Sequence, residues 1–292
     1  MTDYLKIKAN AKINLTLECS GRGGDGYHLL DMCMCSVTLS DELVFRRDDS
    51  GFSIAVEGGK SIPNDENNLI FKAAKRLCEY ADIPLPGVRV ELEKRIPSQA
   101  GLGGGSADAA ATLAALNEML ELGYSLGELA EIGEKVGADV PFCVIGGTAR
   151  VRGIGEQIEP LEPIPEADIL ILMPEKGNST PEMFRLLDKG ELSAKGYTGR
   201  IAECVAKGDL PGIAENLYND FSAFSYRYCD MKDIFLKSGA AGMSVSGSGA
   251  AAFGIFGDRN QLEYCVSLAE KAGLSAYAVR PAQSGVEIIE RR

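Results

Sequence analysis

The stretch PSQAGLGGGSADAA, residues 97–110, is the most informative part of this sequence. It follows a predicted strand, Val88–Leu92, and leads into an Ala- and Leu-rich segment that predicts a helix over about 106–122. The four glycines between residues 101 and 105 let backbone N–H groups approach a ligand, because glycine has no Cβ. Free N–H groups and the dipole at a helix start favour an anion, most often a phosphate. We therefore predict a phosphate-binding loop at 101–106.

The segments before and after this loop alternate between strand and helix patterns. Upstream, residues 4–18 predict a strand, 36–57 two or three strands, and 68–80 a helix. Downstream, Ser125 and Glu128 form a capping-box pattern that opens a helix ending near Gly137. A strand-rich stretch is then expected over 140–160.

The second half of the chain shows a similar mixture. The segment LEPIP, residues 161–165, is the best linker candidate, and 169–172 predict a buried strand. Three or four helices are expected between Pro181 and Ser238, followed by strands near 242–246 and 251–256, a helix over 258–272 and a strand over 275–280. The pattern predicts an α+β fold in two domains, residues 1–160 and 161–292.

Composition excludes several classes of function. The 292 residues include 42 acidic and 30 basic side chains, a net charge of −12, and a single histidine, His28. One histidine rules out a two-histidine zinc site within the chain, and the acidic charge argues against a nucleic-acid partner. The N-terminus has no signal-peptide pattern, and the uncharged run 238–257 is too rich in Gly and Ser for a membrane span. The eight dispersed cysteines favour buried thiols in the cytoplasm.

Four motifs, taken in order along the chain, carry a family resemblance. They are AKINL at 11–15, GYH at 26–28, the glycine-rich loop at 97–110 and GADVPF at 137–142, with SVSGSG at 244–249 as a further glycine-rich motif. Together they resemble the GHMP kinases, and within these the branch that phosphorylates a methylerythritol carrying cytidine diphosphate. The resemblance implies the two-domain GHMP architecture with its active site in the cleft between the domains.

The resemblance implies the reaction and its catalytic residues. ATP would phosphorylate the 2-hydroxyl of the cytidylyl substrate in the non-mevalonate isoprenoid pathway, giving the 2-phosphate and ADP. Asp139 would accept the hydroxyl proton, as kinase chemistry requires of a nearby carboxylate. Lys12 would keep Asp139 ionised and stabilise the migrating phosphoryl group. Oligomeric state stays open.

The resemblance also implies the binding residues. Tyr27 would stack on cytosine, His28 would hydrogen-bond the base largely through its backbone, and Phe184 would close the other side of the ring. Mg²⁺ would accompany ATP, with Ser106 as its one protein ligand. Asp108, in the same helix, has no assigned role. The ATP-binding set is Asn68, Lys94, Pro97, Ala100, Gly101, Leu102, Gly103, Gly104, Gly105, Ser106 and Ala107, and the rest of the substrate set is Asn14, Thr180, Gly247 and Ser248.

Three other functions are compatible with parts of the sequence. A GHMP kinase for a different alcohol would not need GYH with Phe184, and a non-catalytic sensor would not need Lys12 with Asp139. A dinucleotide-dependent oxidoreductase would use residues 247–252, which match the looser form of its glycine pattern but lead into a predicted strand. Two departures from the family pattern, SQA at 98–100 and Ala250, remove no chemical group that the kinase mechanism needs.

Overall fold

A computed structural model describes residues 2–24, 26–58, 62–190 and 195–292 of the chain. Its described strands form two sheets, one of eight strands and one of four, with helices packed against both. The α+β class predicted from the sequence is confirmed. The domain boundary near residue 160 stays a prediction.

The larger sheet is built on a long antiparallel hairpin, β1 (Tyr4–Arg22) with β2 (His28–Arg47). Residues 9–19 of β1 are buried on both faces, so this strand runs through the middle of the protein. Its register against β2 shifts between Asn10 and Ala11 and again between Asn14 and Thr16. Such irregularities re-aim side chains, and here they bracket the predicted site residues Lys12 and Asn14.

The remaining strands of this sheet come from both halves of the chain. Its main path runs β12–β1–β2–β4–β3; β5 pairs with β2 and β6, and β8 pairs with β1. The last strand, β12, was not predicted from the sequence, and it pairs with the first strand although 270 or more residues separate them. The bounds are β3 Ser53–Glu57, β4 Val88–Glu93, β5 Thr148–Gly153, β6 Gln157–Pro160, β8 Tyr218–Asn219 and β12 Val286–Arg291.

The smaller sheet is antiparallel, with the order β11–β7–β10–β9. Strands β9 and β10 are joined by the glycine-rich segment at 246–251, so this loop stands at one end of the sheet. Residues 247–252 therefore lead into a strand, as expected, and lack the helix that a dinucleotide site requires. The bounds are β7 Asp168–Met173, β9 Gly242–Val245, β10 Ala252–Phe256 and β11 Ser275–Val279.

The helices follow the sequence prediction closely, with one error. Residues 140–145, expected in a strand-rich stretch, form the short helix α4, because Pro141 fixes a helical φ in its first turn and its buried residues pack against neighbouring helices. The other helices are α1 Leu69–Tyr80, α2 Gly104–Met119, α3 Leu126–Glu134, α5 Thr180–Leu187, α6 Tyr197–Ala206, α7 Leu210–Glu215, α8 Tyr228–Ser238 and α9 Arg259–Lys271, with a 3-10 turn at Asp220–Ala223.

Candidate active site

One cavity of about 800 Å³ brings together the predicted site residues from distant parts of the chain. Strand β1, the start of α2, the residue before α4, the start of α5 and the β9–β10 loop all contribute to its wall. Every residue that the sequence assigned to catalysis, ATP or substrate lines this cavity, except Ala107. Ala107 is fully buried, and its N–H donates to the Gly103 carbonyl over 2.8 Å as the first bond of the helix.

The glycine-rich loop ends in a helix start that has no side-chain cap. Gly103 stands at the N-cap in the left-handed region, with φ 70°, and helix α2 begins at Gly104, two residues earlier than expected. The N–H groups of the first turn have no partner within a helix, and no acidic residue lies in that turn. Backbone donors and helix dipole therefore face the cavity together, which is the arrangement that binds a phosphate.

Gly101 has a second role that its sequence did not reveal. A Cβ there would overlap the Ser246 carbonyl oxygen, and the backbone has φ +77°. Ser246 Oγ also donates to the Gly101 carbonyl over 2.8 Å. The glycine-rich loop and the β9–β10 loop are thus in direct contact, and glycine at 101 is required by protein packing as well as by any ligand.

The departure from the family pattern at residues 98–100 has a conformational consequence. Gln99 adopts φ 54°, in the left-handed region that glycine occupies without strain. Its carbonyl accepts a hydrogen bond from the Asn178 N–H over 3.3 Å. The backbone here keeps a conformation suited to glycine although the residue is glutamine.

The basic centre of the cavity is Lys12. Lys12 is 3% exposed, and its ammonium donates to Asn14 Oδ1 over 2.7 Å and lies 3.6 Å from Asp139 Oδ2. Asn14 Oδ1 also accepts from the Gly247 N–H over 2.8 Å, which ties Lys12 to the β9–β10 loop. A Cβ at Gly103 would lie 3.0 Å from Lys12 Cγ, so the phosphate loop passes directly beside this lysine.

Asp139 occupies the residue before α4, and its carboxylate makes no capping bond to that helix. Its side chain is 36% exposed and faces the cavity, with Lys12 as its ion-pair partner. A carboxylate in this position can accept a proton from a bound hydroxyl, because it is fixed by a short buried helix and remains accessible.

The opposite end of the cavity is aromatic. The rings of His28 and Phe184 lie 4.6 Å apart at 30°, and Phe184 meets Phe221 edge-on at 5.0 Å. Tyr27 also lines this end and is 65% exposed, which leaves its ring accessible to a ligand. Thr180 Oγ1 and Ser248 Oγ are 2.7 Å apart at the edge of the same space. A flat heteroaromatic ring suits such an environment.

A carboxylate holds the histidine of this aromatic end. Asp188, at the end of α5, lies 2.7 Å from His28 Nε2 and 2.5 Å from a guanidinium nitrogen of Arg22. The hydrogen bond from Arg22, followed by that from His28, lowers the pKa of Asp188. Asp188 therefore links the β1–β2 hairpin to the end of α5.

The residues expected near the nucleotide base are engaged within the protein. Asn68 caps α1: its Oδ1 accepts from the Ile70 N–H over 2.9 Å, and its Nδ2 donates to the Pro63 carbonyl over 2.6 Å. Lys94 donates to Asp41 and, over 2.8 Å, to Asp108 Oδ2. Both residues line the cavity, but the side chain of each is already hydrogen-bonded to other parts of the protein.

The sequence did not identify several residues that hold the site residues in place without lining the cavity. Asp188, Arg22 and Asp41 gave no local signal, because their importance comes from partners more than 50 residues away. Asn219 was also missed, although its Nδ2 donates to the carbonyls of Val245 and Gly247, 26 and 28 residues along the chain, and so fixes the β9–β10 loop.

The described residues form no metal centre of their own around the cavity. In the part of the chain that the structure describes, no group of three or more His, Cys, Asp or Glu side chains could hold a metal. Ser106 lines the cavity in the first turn of α2. This fits Mg²⁺ that arrives on nucleotide phosphates, since Mg²⁺ usually takes only one or two protein ligands there.

Comparisons with known proteins agree with this geometry. The sequence profile of the GHMP kinases N terminal domain matches residues 68–147, which include the glycine-rich loop and Asp139. A 4-diphosphocytidyl-2-C-methyl-D-erythritol kinase from Thermoanaerobacter sp. (strain X514) is 40% identical over 262 residues, 88% of this chain and 89% of the relative. The protein of that name from Clostridioides difficile (strain 630) is 35% identical, over 98% of both chains.

Solved structures show the same fold. A crystal structure of 4-(cytidine 5'-diphospho)-2C-methyl-D-erythritol kinase superposes with a TM-score of 0.74 and 30% identity, covering 95% of this chain and 99% of the other. A homoserine kinase from Cytophaga hutchinsonii has a TM-score of 0.79 at 21% identity, covering 99% and 98%. The fold is therefore shared by kinases named for different substrates.

Among the helices of the described residues, none combines the length and the apolar character that a membrane span needs.

Proposed function

The chain belongs to the family of 4-diphosphocytidyl-2-C-methyl-D-erythritol kinases, and from this premise we propose how its cavity phosphorylates that substrate. As in other GHMP kinases, ATP is the co-substrate. The γ-phosphoryl group passes to the 2-hydroxyl of the cytidylyl substrate, giving the 2-phosphate and ADP. The ion pair of Lys12 and Asp139, fixed between the phosphate loop and the aromatic end, is the observation that carries this proposal.

Asp139 orients the acceptor hydroxyl and takes its proton as the new P–O bond forms. Its carboxylate is free of capping bonds and is open to the cavity, so it can approach a bound hydroxyl. General-base assistance of this kind contributes about 10²- to 10⁴-fold to the rate.

Lys12 forms an ion pair with Asp139 and stabilises charge on the migrating phosphoryl group. Its ammonium is buried and bonded to Asn14, so its position is fixed before the substrates bind. A buried cation that is already in position stabilises developing negative charge more than the same cation in solvent does.

The phosphates bind at the start of α2. The N–H groups of its uncapped first turn supply donors, and the flanking loop supplies further backbone N–H groups. Mg²⁺ would be held by the nucleotide phosphates and by Ser106, and when bound it would neutralise charge on the phosphates. Helix start and Lys12 together make this region locally positive in a protein with a net charge of −12.

The cytosine ring occupies the aromatic end. Tyr27 stacks on it from the exposed side, Phe184 lies on the other side, and His28 supplies polar contacts to the base edge. Thr180 and Ser248 bind polar groups of the substrate beside the ring. This end discriminates against small aliphatic acceptors, which cannot fill it.

We place the reaction in the cytoplasm, because all eight cysteines are free thiols.

A panel of acceptors tests the proposal. ADP formation is measured with ATP and, separately, the cytidylyl-methylerythritol substrate, homoserine or mevalonate. We expect turnover with the cytidylyl compound alone. Turnover of another acceptor, with none above background for the cytidylyl compound, would overturn the substrate assignment.

A further inference from the structure

The β9–β10 loop, part of the cavity wall, is fixed by side chains from other parts of the chain. Asn14 Oδ1 accepts from the Gly247 N–H over 2.8 Å, and Asn219 Nδ2 donates to the Gly247 carbonyl over 2.9 Å. The next carbonyl, that of Ser248, accepts from Asn178 Nδ2 over 2.8 Å. Ser248 lines the cavity and Asn178 does not, so a residue behind the wall fixes a residue in it.

The amide of Asn178 uses both of its ends. Its Nδ2 also donates to Ser225 Oγ over 3.2 Å, and its Oδ1 accepts from the Tyr226 N–H over 3.4 Å. A carbonyl oxygen can only accept and a backbone N–H can only donate, so these partners determine which end of the amide faces Ser248. Asn178 thereby joins the Ser248 carbonyl to the loop before α8.

Two glycines leave the space that this junction occupies. A Cβ at Gly249, where φ is +82°, would overlap Ser225 Oγ and lie 2.7 Å from Asn178 Nδ2. A Cβ at Gly177 would overlap the Gln99 carbonyl oxygen, which accepts from the Asn178 N–H over 3.3 Å. Both contacts require glycine, and they place Asn178 directly between the glycine-rich loop and the β9–β10 loop.

Ser248 and Thr180 carry two hydroxyl groups at the edge of the aromatic end, with their oxygens 2.7 Å apart. Thr180 is two residues after Asn178, so one short segment sets the position of both hydroxyls. We propose that Asn178 is a positioning residue, which fixes Ser248 beside Thr180 so that both hydroxyls are in place to bind polar groups of the cytidylyl substrate. This role rests on the proposed function. Groups that are held in place before binding lose less conformational freedom when the substrate arrives.

The side chain of Asn178 acts on this substrate and not on ATP. The glycine-rich loop is joined to this region through Ser246 Oγ, which donates to the Gly101 carbonyl over 2.8 Å, and through the backbone N–H of Asn178. Neither contact uses the Asn178 amide, so both remain when that amide is changed. Loss of the amide therefore releases Ser248 while the phosphate-binding loop keeps its contacts.

Steady-state kinetics of two variants tests this role. Asn178→Ala should raise the KM for the cytidylyl substrate about threefold to tenfold, the effect of one hydrogen bond, and leave the KM for ATP within about twofold. Asn178→Asp keeps the shape and the acceptor oxygen but loses the donor, so it should raise the same KM at least as much. An unchanged KM for the substrate in Asn178→Asp, an equal rise of both KM values, or failure of this isosteric variant to fold would overturn the proposal.

Asn117→Ala is the matched control. Asn117 is also half-buried, and its amide donates to the Tyr124 carbonyl over 2.9 Å and accepts from the Tyr124 N–H over 3.0 Å, but it does not line the cavity. Its loss should lower the free energy of unfolding as the loss of Asn178 does, while both KM values stay within about twofold of wild type. A rise in the KM for the cytidylyl substrate equal to that of Asn178→Ala would show general destabilisation and would overturn the positioning role.

Ser248→Ala tests whether Asn178 acts through Ser248. This change removes the hydroxyl and keeps the carbonyl that Asn178 binds, so the two variants form a double-mutant cycle. The double variant should have a KM for the cytidylyl substrate within about twofold of that of the more affected single variant. A rise equal to the product of the two single effects would show that Asn178 acts independently of Ser248 and would overturn this role alone. Absence of turnover of the cytidylyl compound by the wild type would instead refute the proposed function, and this role with it.

Discussion

At the scale of single residues, glycine at position 101 is required by the contact between two loops. Gly101→Ala should lower the free energy of unfolding by about 2 kcal/mol or more, because a Cβ overlaps the Ser246 carbonyl oxygen and the φ of +77° adds strain. Gly123→Ala is the matched control: its φ is +72°, but nothing lies within 4 Å of an added Cβ. Urea unfolding measures both. Equal losses would show that strain alone, and not the loop contact, requires glycine at 101.

Asp188 is expected to act on substrate binding through His28. Asp188→Ala removes the partner that holds His28 Nε2, so the ring is no longer fixed beside Phe184. The KM for the cytidylyl substrate should rise about tenfold, the effect of one charge-assisted hydrogen bond, while the KM for ATP stays within about twofold. Steady-state kinetics measures both constants.

The control for this variant is Asp230→Ala, which removes an exposed partner of Arg227; neither residue lines the cavity. It should leave both KM values unchanged. An Asp188→Ala variant that raises the two KM values equally would contradict a specific role at the aromatic end.

At the scale of elements, the start of α1 links stability to nucleotide binding. Asn68 caps this helix through the Ile70 N–H and also lines the cavity, whereas Ser125 caps α3 away from it. Each change to Ala should lower the free energy of unfolding by about 1 kcal/mol. Only Asn68→Ala should also raise the KM for ATP. If Ser125→Ala raised that KM equally, the effect would come from general destabilisation.

Local motifs made some elements predictable from the sequence. The glycine-rich loop and the helix after it were predictable because both depend on residues that are close in the sequence. The capping box of Ser125 and Glu128, another local motif, is also confirmed. Helix α4 differs from the expected strand: Val140, Phe142 and Val144 alternate as in a strand, but Pro141 in the first turn favours a helix.

Long-range pairings could not be predicted in the same way. Strand β12 is a strand because it pairs with β1. Its own sequence contains neither a turn motif nor an alternating pattern that would predict this pairing. The Asp108–Lys94–Asp41 cluster and the Asp188–His28 contact likewise join residues whose proximity only the complete fold creates. The family resemblance identified the candidate catalytic residues, but it did not identify the residues that contact them.

At the scale of the whole molecule, the raised pKa of Asp108 makes stability depend on pH. An aspartate has a pKa near 3.9 in the unfolded chain, and burial raises that of Asp108 to about 8 in the folded protein. Between these values the folded state holds a proton that the unfolded state has lost, so this contribution is full below about pH 4 and is lost as the pH rises through 8.

Asp108→Asn isolates this contribution. The free energy of unfolding of wild type minus that of Asp108→Asn should fall steadily between pH 5 and pH 8 and then level off. Urea titrations of both proteins at several pH values measure it. A difference that stays constant with pH would show that Asp108 is ionised in the folded protein throughout this range.

The central claim is that Asp139, paired with Lys12, is the base of a kinase in the cavity between the phosphate loop and the aromatic end. The kcat of Asp139→Asn with ATP and the cytidylyl substrate, measured beside its Kd for ATP, tests this most directly. We predict a loss of about 10²- to 10⁴-fold in kcat with the Kd for ATP within about twofold of wild type. A kcat within about threefold of the wild-type value, in a variant that binds ATP normally, would contradict it.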